Sequence, residues 1–239
     1  MTKQELRECV WDALEDSGEA RFPFPPHGRI PNFAGADEAA DRLADQEVWA
    51  TADTVKANPD APQLPVRRAA VRAGKTLYMA VPRLAEEQPF LRLDPEEIDD
   101  IDEATTVGGS AEAGVPVDPA EMPPIDLIVT GCVAVTPEGA RVGKGEGYSD
   151  LEFAVLRETG LVDDDTPTAT TVHPIQVIKE APTGEHDVPM DTVVTPGETV
   201  RDGRREKPSG IDWDAVTAEQ REEIPVLRQL HDDAEPGGV

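Results

Sequence analysis

Apolar residues recur along this chain with two spacings, one typical of amphipathic helices and one typical of buried strands. Between residues 3 and 16, Leu6, Val10 and Leu14 stand four residues apart, with acidic residues between them. Because successive residues of a helix turn by about 100°, these three side chains share one face. The spacing predicts an amphipathic helix over residues 3–16.

Compact apolar runs further along predict buried strands at 48–55, 76–81, 125–135, 168–172 and 191–195. Helical patterns lie among them at 36–49, 66–73 and 150–159, and another follows at 215–230. Strands that alternate with helices are typical of a mainly parallel sheet with helices on both faces. The predicted fold is therefore α/β, a three-layer α/β/α sandwich around a mainly parallel sheet.

Proline- and glycine-rich segments predict loops at 20–35, 56–65 and 103–123. The composition changes after residue 200, where the apolar runs end and charged residues cluster. We expect one α/β domain over residues 1–200, followed by an acidic, partly ordered C-terminal tail over residues 201–239.

Two basic residues, Lys3 and Arg7, interrupt the apolar stripe of the first helix rather than lying on its acidic face. Solvated charges would show the opposite arrangement. Their position indicates that both side chains face the body of the protein and meet an anion there. A structural ion pair, or a long side chain that reaches past the apolar surface to water, is the alternative.

A glycine-rich segment, RVGKGEGYSD at residues 141–150, lies between the apolar run 125–135 and the helix 150–159. Alternate glycines let backbone N–H groups approach an anion, and a helix N-terminus adds partial positive charge. The familiar phosphate motifs do not fit this segment. Glu138 stands where a Walker A motif has its first glycine, and Tyr148 stands where a Rossmann fingerprint has its last glycine. The spacing indicates a phosphate-binding loop, and a glycine-rich hairpin turn is the alternative.

Charge and cysteine content limit the partners of the chain. The net charge is −27, with 49 acidic and 22 basic residues, which argues against nucleic acid or an anionic membrane as partner. No apolar run approaches the roughly 20 residues that span a bilayer, so we expect a cytoplasmic protein. Cys9 and Cys132 lack metal-site spacing, and we expect both to be reduced.

The glycine-rich segment resembles the R-[LI]-G-[RK]-G-x-G-Y-Y-D-R loop of the 5-formyltetrahydrofolate cyclo-ligase family, the methenyltetrahydrofolate synthetases. Lys3 and Arg7 match the K-x-x-x-R of that family's first helix, and residues 186–195 match a strand near its end. The agreement covers about residues 1–200 and is weaker in the middle third. Ser149 and Leu151 depart from the pattern, since the family has tyrosine and arginine there.

The resemblance implies the fold shared with sugar-phosphate isomerases and CoA transferases, and an ATP-dependent cyclo-ligase activity. In such an enzyme ATP phosphorylates the formyl oxygen of 5-formyltetrahydrofolate. The N10 amine then attacks the activated carbon, and 5,10-methenyltetrahydrofolate, ADP and phosphate result. The implied cofactors are ATP and Mg²⁺, and the implied partners are small molecules, with the chain a monomer or homodimer.

Matching positions assign the site residues that the resemblance implies. The ATP-binding residues would be Lys3, Arg7, Arg141, Gly143, Lys144, Gly145, Gly147 and Tyr148. The substrate-binding residues would be Arg7, Asn58, Gln63 and Arg67. The magnesium ligands would be Asp150 and Asp191. A cation to replace the arginine lost at Leu151 is expected among Arg29, Lys56, Arg67 and Arg83.

Each assignment has a structural alternative. Asp150 is placed to cap the helix that follows the loop, and Asp191 is placed to be a surface carboxylate on an edge strand. Asp60 lies in the same loop as Asn58, Gln63 and Arg67, and these four residues could bind a pterin by hydrogen bonds. The alternative is that they only shape a loop that leads into the helix 66–73. At the level of function, the alternatives are a non-catalytic nucleotide- or pterin-binding protein and another enzyme of the same broad fold.

The acidic composition generates a prediction about salt. A charge of −27 on one domain opposes compaction by self-repulsion, and molar salt screens it because the Debye length falls to about 3 Å at 1 M. We expect the protein to need molar KCl to stay folded. Circular dichroism across a KCl series measures this, and full secondary structure at low salt would contradict it.

Overall fold

The computed structural model describes residues 1–234, with side chains for all of these except residues 202, 233 and 234. Within this range the helices are α1 (Lys3–Asp16), α2 (Ala36–Ala44), α3 (Glu47–Ala50), α4 (Leu64–Arg72), α5 (Ile101–Ala104), α6 (Val107–Ala113), α7 (Tyr148–Glu158), α8 (Ala218–Glu223) and α9 (Pro225–Ala234). The helix predicted over residues 3–16 is confirmed with those bounds. Thr2 starts it, because its hydroxyl accepts from the Glu5 N–H while the Glu5 carboxylate accepts from the Thr2 N–H.

The strands of the described residues form one large sheet and two small hairpins. They are β1 (Ala20–Arg21), β2 (Asn32–Phe33), β3 (Thr54–Ala57), β4 (Thr76–Ala80), β5 (Phe90–Leu93), β6 (Val115–Val117), β7 (Leu127–Val129), β8 (Ala134–Val135), β9 (Arg141–Val142), β10 (Thr168–Thr171), β11 (Thr192–Val194) and β12 (Thr199–Asp202). The large sheet has the order β12-β11-β10-β7-β3-β4-β5-β6, while β1 pairs with β2 and β8 with β9.

The centre of the large sheet is parallel and its edges are antiparallel. Strands β11, β10, β7, β3 and β4 run in one direction, whereas β12, β5 and β6 run against their neighbours. The predicted α/β class with a mainly parallel sheet is confirmed. The carboxyl ends of β3 and β7 lie side by side, so the loops that follow them meet at one edge of the sheet.

Helices cover both faces of this sheet and its carboxyl edge. Apolar residues of α2 and α4 pack on one face, and those of α7 and α9 pack on the other. Helix α1 packs against the β8–β9 hairpin through Leu6, Val10 and Leu14, together with Val133 and Val142. No helix in residues 1–234 is long and apolar enough to cross a membrane. The layers therefore place α1 beside the loops at the carboxyl edge.

Several predicted elements are divided or replaced in the structure. The predicted strand 125–135 ends at Val129, and its second half enters the separate β8–β9 hairpin. The predicted helix 36–49 is interrupted at Asp45 and Gln46. The predicted loop 103–123 contains α6 and β6, and β5 was not predicted. Helix α6 contains two glycines and is capped by the Thr106 side chain. Gly109 is required there, because an added Cβ would lie 2.0 Å from the Glu103 carbonyl oxygen.

The segment after residue 200 packs on the same body through apolar residues as far as Leu230. Ile211, Ile224, Val226 and Leu227 are buried in the cluster that contains α7. The helix predicted over 215–230 is divided into α8 and α9, since Pro225 cannot continue α8. The expected acidic, partly ordered tail also includes residues 235–239, which lie outside the described residues.

Asp191 anchors this segment. Its carboxylate forms an ion pair with the Lys207 ammonium at 2.7 Å and accepts from the Arg205 N–H at 2.8 Å. It also accepts from the Thr168 N–H and hydroxyl, both at 3.1 Å. Asp191 is 3% exposed, so these donors surround a buried charge. The acid precedes β11 at the amino end of the parallel strands, opposite the edge where the loops after β3 and β7 meet.

Asp191→Ala should therefore destabilise the fold. Removing one partner of a buried ion pair leaves the Lys207 ammonium without a counter-charge, which costs about 3–5 kcal/mol. We expect the free energy of unfolding to fall by that amount in a denaturant titration. The double variant Asp191→Leu with Lys207→Met should recover part of the loss, and a single variant as stable as the wild type would contradict the anchoring role.

Candidate functional site

Arg67 fixes the loop between β3 and α4. Its buried guanidinium donates through Nη1 to the carbonyl oxygens of Asn58 (2.6 Å) and Asp60 (2.9 Å). Its Nε donates to the Thr105 carbonyl oxygen at 2.9 Å. The resemblance implied that Arg67 contacts the substrate, whereas these bonds commit its guanidinium to the backbone. The role that the structure shows for Arg67 is to position the residues of this loop.

Gln63 ends this loop with an amide that has no hydrogen-bond partner in the described part of the chain. The side chain is fully buried, and neither Nε2 nor Oε1 is paired. It lies against Gly131, in the loop after β7, where an added Cβ would be 2.6 Å from Gln63 Oε1 and 3.1 Å from Asp60 Oδ2. Only glycine permits this approach. A buried amide without partners is costly and suits a ligand that supplies a donor and an acceptor.

Asp60 is a carboxyl group with an altered pKa beside this amide. Burial raises the pKa of Asp60 to about 6, and the nearby Glu152 carboxylate adds to the rise, while Lys144, Arg67 and Lys56 pull the pKa down. Asp60 therefore titrates close to neutral pH. The loop sequence already placed Asp60 among the polar residues that could bind a pterin. It could not show the raised pKa, because the burial of Asp60 depends on contacts far along the chain.

The glycine-rich segment forms a turn between β9 and α7. Gly147 adopts a left-handed conformation (φ 77°) and caps α7, so Asp150 lies in the first turn of the helix instead of capping it. The buried Arg141 donates to Asp150 Oδ1 at 2.5 Å and to the Gly131 carbonyl oxygen at 3.2 Å. Arg141 thus connects the glycine-rich loop to the loop after β7.

The two basic residues of α1 reach this region, as their place on the apolar stripe predicted. The Arg7 Nε donates to the Gly143 carbonyl oxygen at 2.7 Å, and a Cβ at Gly145 would lie 3.3 Å from the Arg7 Cζ atom. The Lys3 ammonium pairs with Asp187 at 2.5 Å. The first helix therefore brings one cation directly onto the loop and a second one beside it, through contacts 136 and 184 residues apart in sequence.

A buried polar network lies beneath the start of α7. Lys56 in the central strand β3 pairs with Glu152, and both side chains are less than a tenth exposed. The Asn58 amide donates to the Ser149 hydroxyl at 2.9 Å, and its oxygen faces the Lys56 ammonium at 3.4 Å. Sequence reasoning missed this network. A lysine within an apolar strand and a glutamate within an apolar helix were the available signals.

This network bears on the departures from the family loop. Ser149, which replaces a tyrosine, is the partner of Asn58, and Leu151, which replaces an arginine, packs against the apolar cluster of α7. Lys56 and Arg67 were candidates for the missing cation. Lys56 is neutralised by Glu152 and Arg67 binds backbone carbonyls, so both are committed elsewhere.

The predicted magnesium pair is not brought together. Asp191 lies at the amino edge of the strands and its oxygens accept from Lys207, Arg205 and Thr168, which leaves a metal ion little access. Asp150 lies at the glycine-rich loop. Within residues 1–234, no group of three or more His, Cys, Asp or Glu side chains could hold a metal ion. The donor set fits a metal held by Asp150 and by a ligand's own oxygens, not by both acids.

The space between the glycine-rich loop and Asp60 is small. It has a volume of about 40 Å³ and is lined by Ile30, Asp60, Arg141 and residues 143–150. Such a volume holds little more than one water molecule. A polyphosphate would therefore have to displace the loop, whose outer charges, Lys144 and Glu146, pair with each other at 2.8 Å on the surface.

Comparison with known proteins identifies the family of this chain. The 5-formyltetrahydrofolate cyclo-ligase family model matches residues 1–196. The mouse (Mus musculus) methenyltetrahydrofolate synthase domain-containing protein is 40% identical over 244 residues, which cover 100% of this chain and 65% of that protein. The human (Homo sapiens) protein of that name is 39% identical over 236 residues, covering 96% of this chain and 61% of its own length.

A solved structure shows the same fold. The 5,10-methenyltetrahydrofolate synthetase of Aquifex aeolicus aligns with a TM-score of 0.55 at 20% identity, over 87% of this chain and 97% of that one. The chain spans slightly less than two thirds of the mouse relative. This chain belongs to the 5-formyltetrahydrofolate cyclo-ligase family. The match confirms the resemblance seen in the glycine-rich loop and at the two ends of the domain.

The raised pKa of Asp60 generates a prediction about stability and pH. The folded state disfavours the carboxylate, so this group lowers stability as pH rises from about 4 to about 6, and its full cost is present above pH 6. Asp60→Asn removes the charge and should raise the melting temperature by a few degrees at pH 8. The gain should vanish near pH 4, where Asp60 is protonated. A gain that is equal at both pH values, or a loss at pH 8, would contradict the burial of this charge.

Proposed function

We propose that this member of the 5-formyltetrahydrofolate cyclo-ligase family is an ATP-dependent ligase that converts 5-formyltetrahydrofolate, or a related formyl-pterin, to 5,10-methenyltetrahydrofolate. Gln63 carries the proposal on the substrate side. Its buried amide has no protein partner in the described residues, next to Gly131 and a carboxyl group that titrates near neutrality. A pterin edge offers N–H donors and carbonyl or ring-nitrogen acceptors, which match the unused atoms of the Gln63 amide.

The glycine-rich loop is the proposed ATP site. Gly145 and Gly147 are exposed and Gly143 is half-buried, and glycines let a backbone N–H approach an anion closely. Arg7 already contacts the loop from α1. Lys144 is about a third exposed and lies close enough to Asp60 to affect its pKa. When the loop moves outward, Lys144 can leave Glu146 for a phosphate. Arg141 and Lys3 hold the neighbouring carboxylates, and Tyr148 begins the helix at the edge of the site.

Magnesium would enter with the nucleotide, and Asp150 is the carboxylate placed to hold it. Mg²⁺ keeps several waters and binds one or two carboxylates together with phosphate oxygens, so a single aspartate suffices. Bound there, the ion would neutralise phosphate charge during transfer. We assign Asp191 no part in this site, because donors engage both of its oxygens at the amino edge of the strands. Asp150 differs, since Arg141 and the Val188 N–H both approach its Oδ1 and leave Oδ2 for a metal ion.

The chemistry requires the glycine-rich loop to lie beside the loop that carries Asp60 and Gln63. The γ-phosphoryl group passes to the formyl oxygen, which turns that oxygen into a leaving group. The N10 amine attacks the formyl carbon and loses its proton, phosphate departs with the oxygen, and the methenyl bridge remains. We propose Asp60 as the acceptor of the N10 proton, because a carboxylate of raised pKa is a stronger base than an ordinary aspartate and remains mostly ionised at pH 7.

A non-catalytic binding protein is the second candidate function, and two observations favour it. Leu151 packs in the apolar cluster where the family loop has a cation, and Asp191 is committed to Lys207. Neither observation removes the glycine-rich loop or the Gln63 amide. Turnover therefore separates the two candidates, whereas ligand binding does not.

The test is formation of the methenyl product, followed by its absorbance, from 5-formyltetrahydrofolate with and without ATP and Mg²⁺. We expect product only in the complete mixture. Lys144→Ala should weaken ATP binding about tenfold or more, because a charge-assisted hydrogen bond contributes about 1.5–3 kcal/mol.

Glu146→Gln is the matched control, since it breaks the same surface ion pair but keeps the cation. We expect Glu146→Gln to bind ATP at least as tightly as the wild type. If no product forms at any salt concentration or pH although ATP and folate both bind, the catalytic proposal is wrong and a non-catalytic binding function is favoured.

A further inference from the structure

A groove that no assigned role uses lies on the other side of the loop that carries Asp60. It has a volume of about 740 Å³, which is in the range of small-molecule sites. Pro59 and Leu64 of that loop form part of its floor, with the buried ring of Phe33 beside them. Because Pro59 and Asp60 are adjacent, one ligand can contact both sides of the loop.

Phe22 forms an exposed wall of this groove. Its side chain is 78% exposed, although a phenyl ring gains free energy when it leaves water. Phe24, two residues further along, is 59% exposed but does not line the groove. The Phe22 carbonyl accepts from the Asn32 amide at 2.8 Å, which ties this part of the loop to β2. An exposed ring at the wall of a groove, on a tethered backbone, suits a flat aromatic ligand.

The charges of the groove are unusual for a chain with a net charge of −27. Three arginines line it, Arg21, Arg67 and Arg68, against one carboxylate, Asp37. Arg68 pairs with Asp102, which stands outside the groove. The Arg21 guanidinium binds the carbonyl oxygens of residues 18 and 20 and has no carboxylate partner among the described residues. The groove is thus apolar with an uncompensated cation, which suits an aromatic group that carries carboxylates.

We propose that this groove binds the benzoylglutamate half of the substrate, with Phe22 packed on the benzoyl ring and Arg21 facing the glutamyl carboxylates. This inference rests on the proposed function, which places the pterin on the Asp60 and Gln63 side of the same loop. Phe22 is then a specificity-determining residue for folate over simple pterins. It has no contact with the nucleotide.

Titration calorimetry of the full chain with p-aminobenzoyl-L-glutamate, in salt that keeps the protein folded, tests this directly. The wild type should bind the probe, and Phe22→Ala should weaken binding about tenfold, in the range found when a central aromatic contact is truncated. Phe24→Ala is the matched control and should bind like the wild type. Arg21→Gln should weaken binding, because it removes the cation that faces the glutamyl carboxylates. Asp37→Asn should leave binding equal or make it tighter, because the Asp37 carboxylate of the wild type repels the ligand.

The inference is overturned if the wild type fails to bind the probe at millimolar concentration, or if Phe22→Ala binds as tightly as the wild type. Equal losses in Phe22→Ala and Phe24→Ala would also overturn it, since they would report a general effect of the loop. ATP affinity should be the same in all four variants. If these binding results are obtained while no methenyl product forms, the proposed benzoylglutamate site is supported and the proposed catalytic activity is wrong. If Phe22→Ala turns over 5-formyltetrahydrofolate with the wild-type KM, the proposed benzoylglutamate site is wrong and the proposed catalytic activity is supported.

Discussion

The buried guanidinium of Arg67 is the contact on which the arrangement of the site depends. It binds three carbonyl oxygens from two segments, and thereby holds the loop after β3 at the carboxyl edge of the sheet. That loop carries Asp60 and Gln63 on one side and Pro59 on the other. Gly131 lets the loop after β7 approach it closely, and Arg141 ties the glycine-rich segment to Gly131. Two buried cations, Arg67 and Arg141, together with Gly131 therefore set the spacing among three loops. The surfaces proposed for nucleotide, pterin and benzoylglutamate all follow from that spacing.

Burial of charge also explains how this chain departs from the loop of its family. The pair of Lys56 and Glu152 places two charges between the sheet and α7, where each requires the other. Ser149 fits this network because its small hydroxyl meets the Asn58 amide, and Leu151 fits the apolar cluster beside it. The departures thus belong to one locally consistent arrangement. Near the loop, Arg7 has no carboxylate within salt-bridge distance among the described residues, and Lys144 pairs only with the exposed Glu146.

Local patterns predicted the parts of the fold that depend on local physics. The stripe of Leu6, Val10 and Leu14 gave α1 its correct bounds, and the apolar runs at 76–81 and 168–172 located β4 and β10 to within a residue or two. Strand β5 and helix α6 were missed because their packing partners, not their own sequence, decide their structure. The glycine spacing and the family resemblance located the loop, but the resemblance could not show that Asp191 would face Lys207, which lies beyond the matched residues 1–196. The empty hydrogen-bonding positions of Gln63 are likewise a property of the folded chain alone.

The central claim is that the formyl oxygen of the substrate receives the phosphoryl group of ATP within the site that these loops form. The most direct measurement uses 5-formyltetrahydrofolate labelled with ¹⁸O in the formyl group, with the phosphate released during turnover examined by mass spectrometry. The account predicts that each phosphate carries the labelled oxygen, since that oxygen leaves with the phosphoryl group when N10 closes the ring. Unlabelled phosphate formed in step with the methenyl product would show that water receives the phosphoryl group, and would contradict the account.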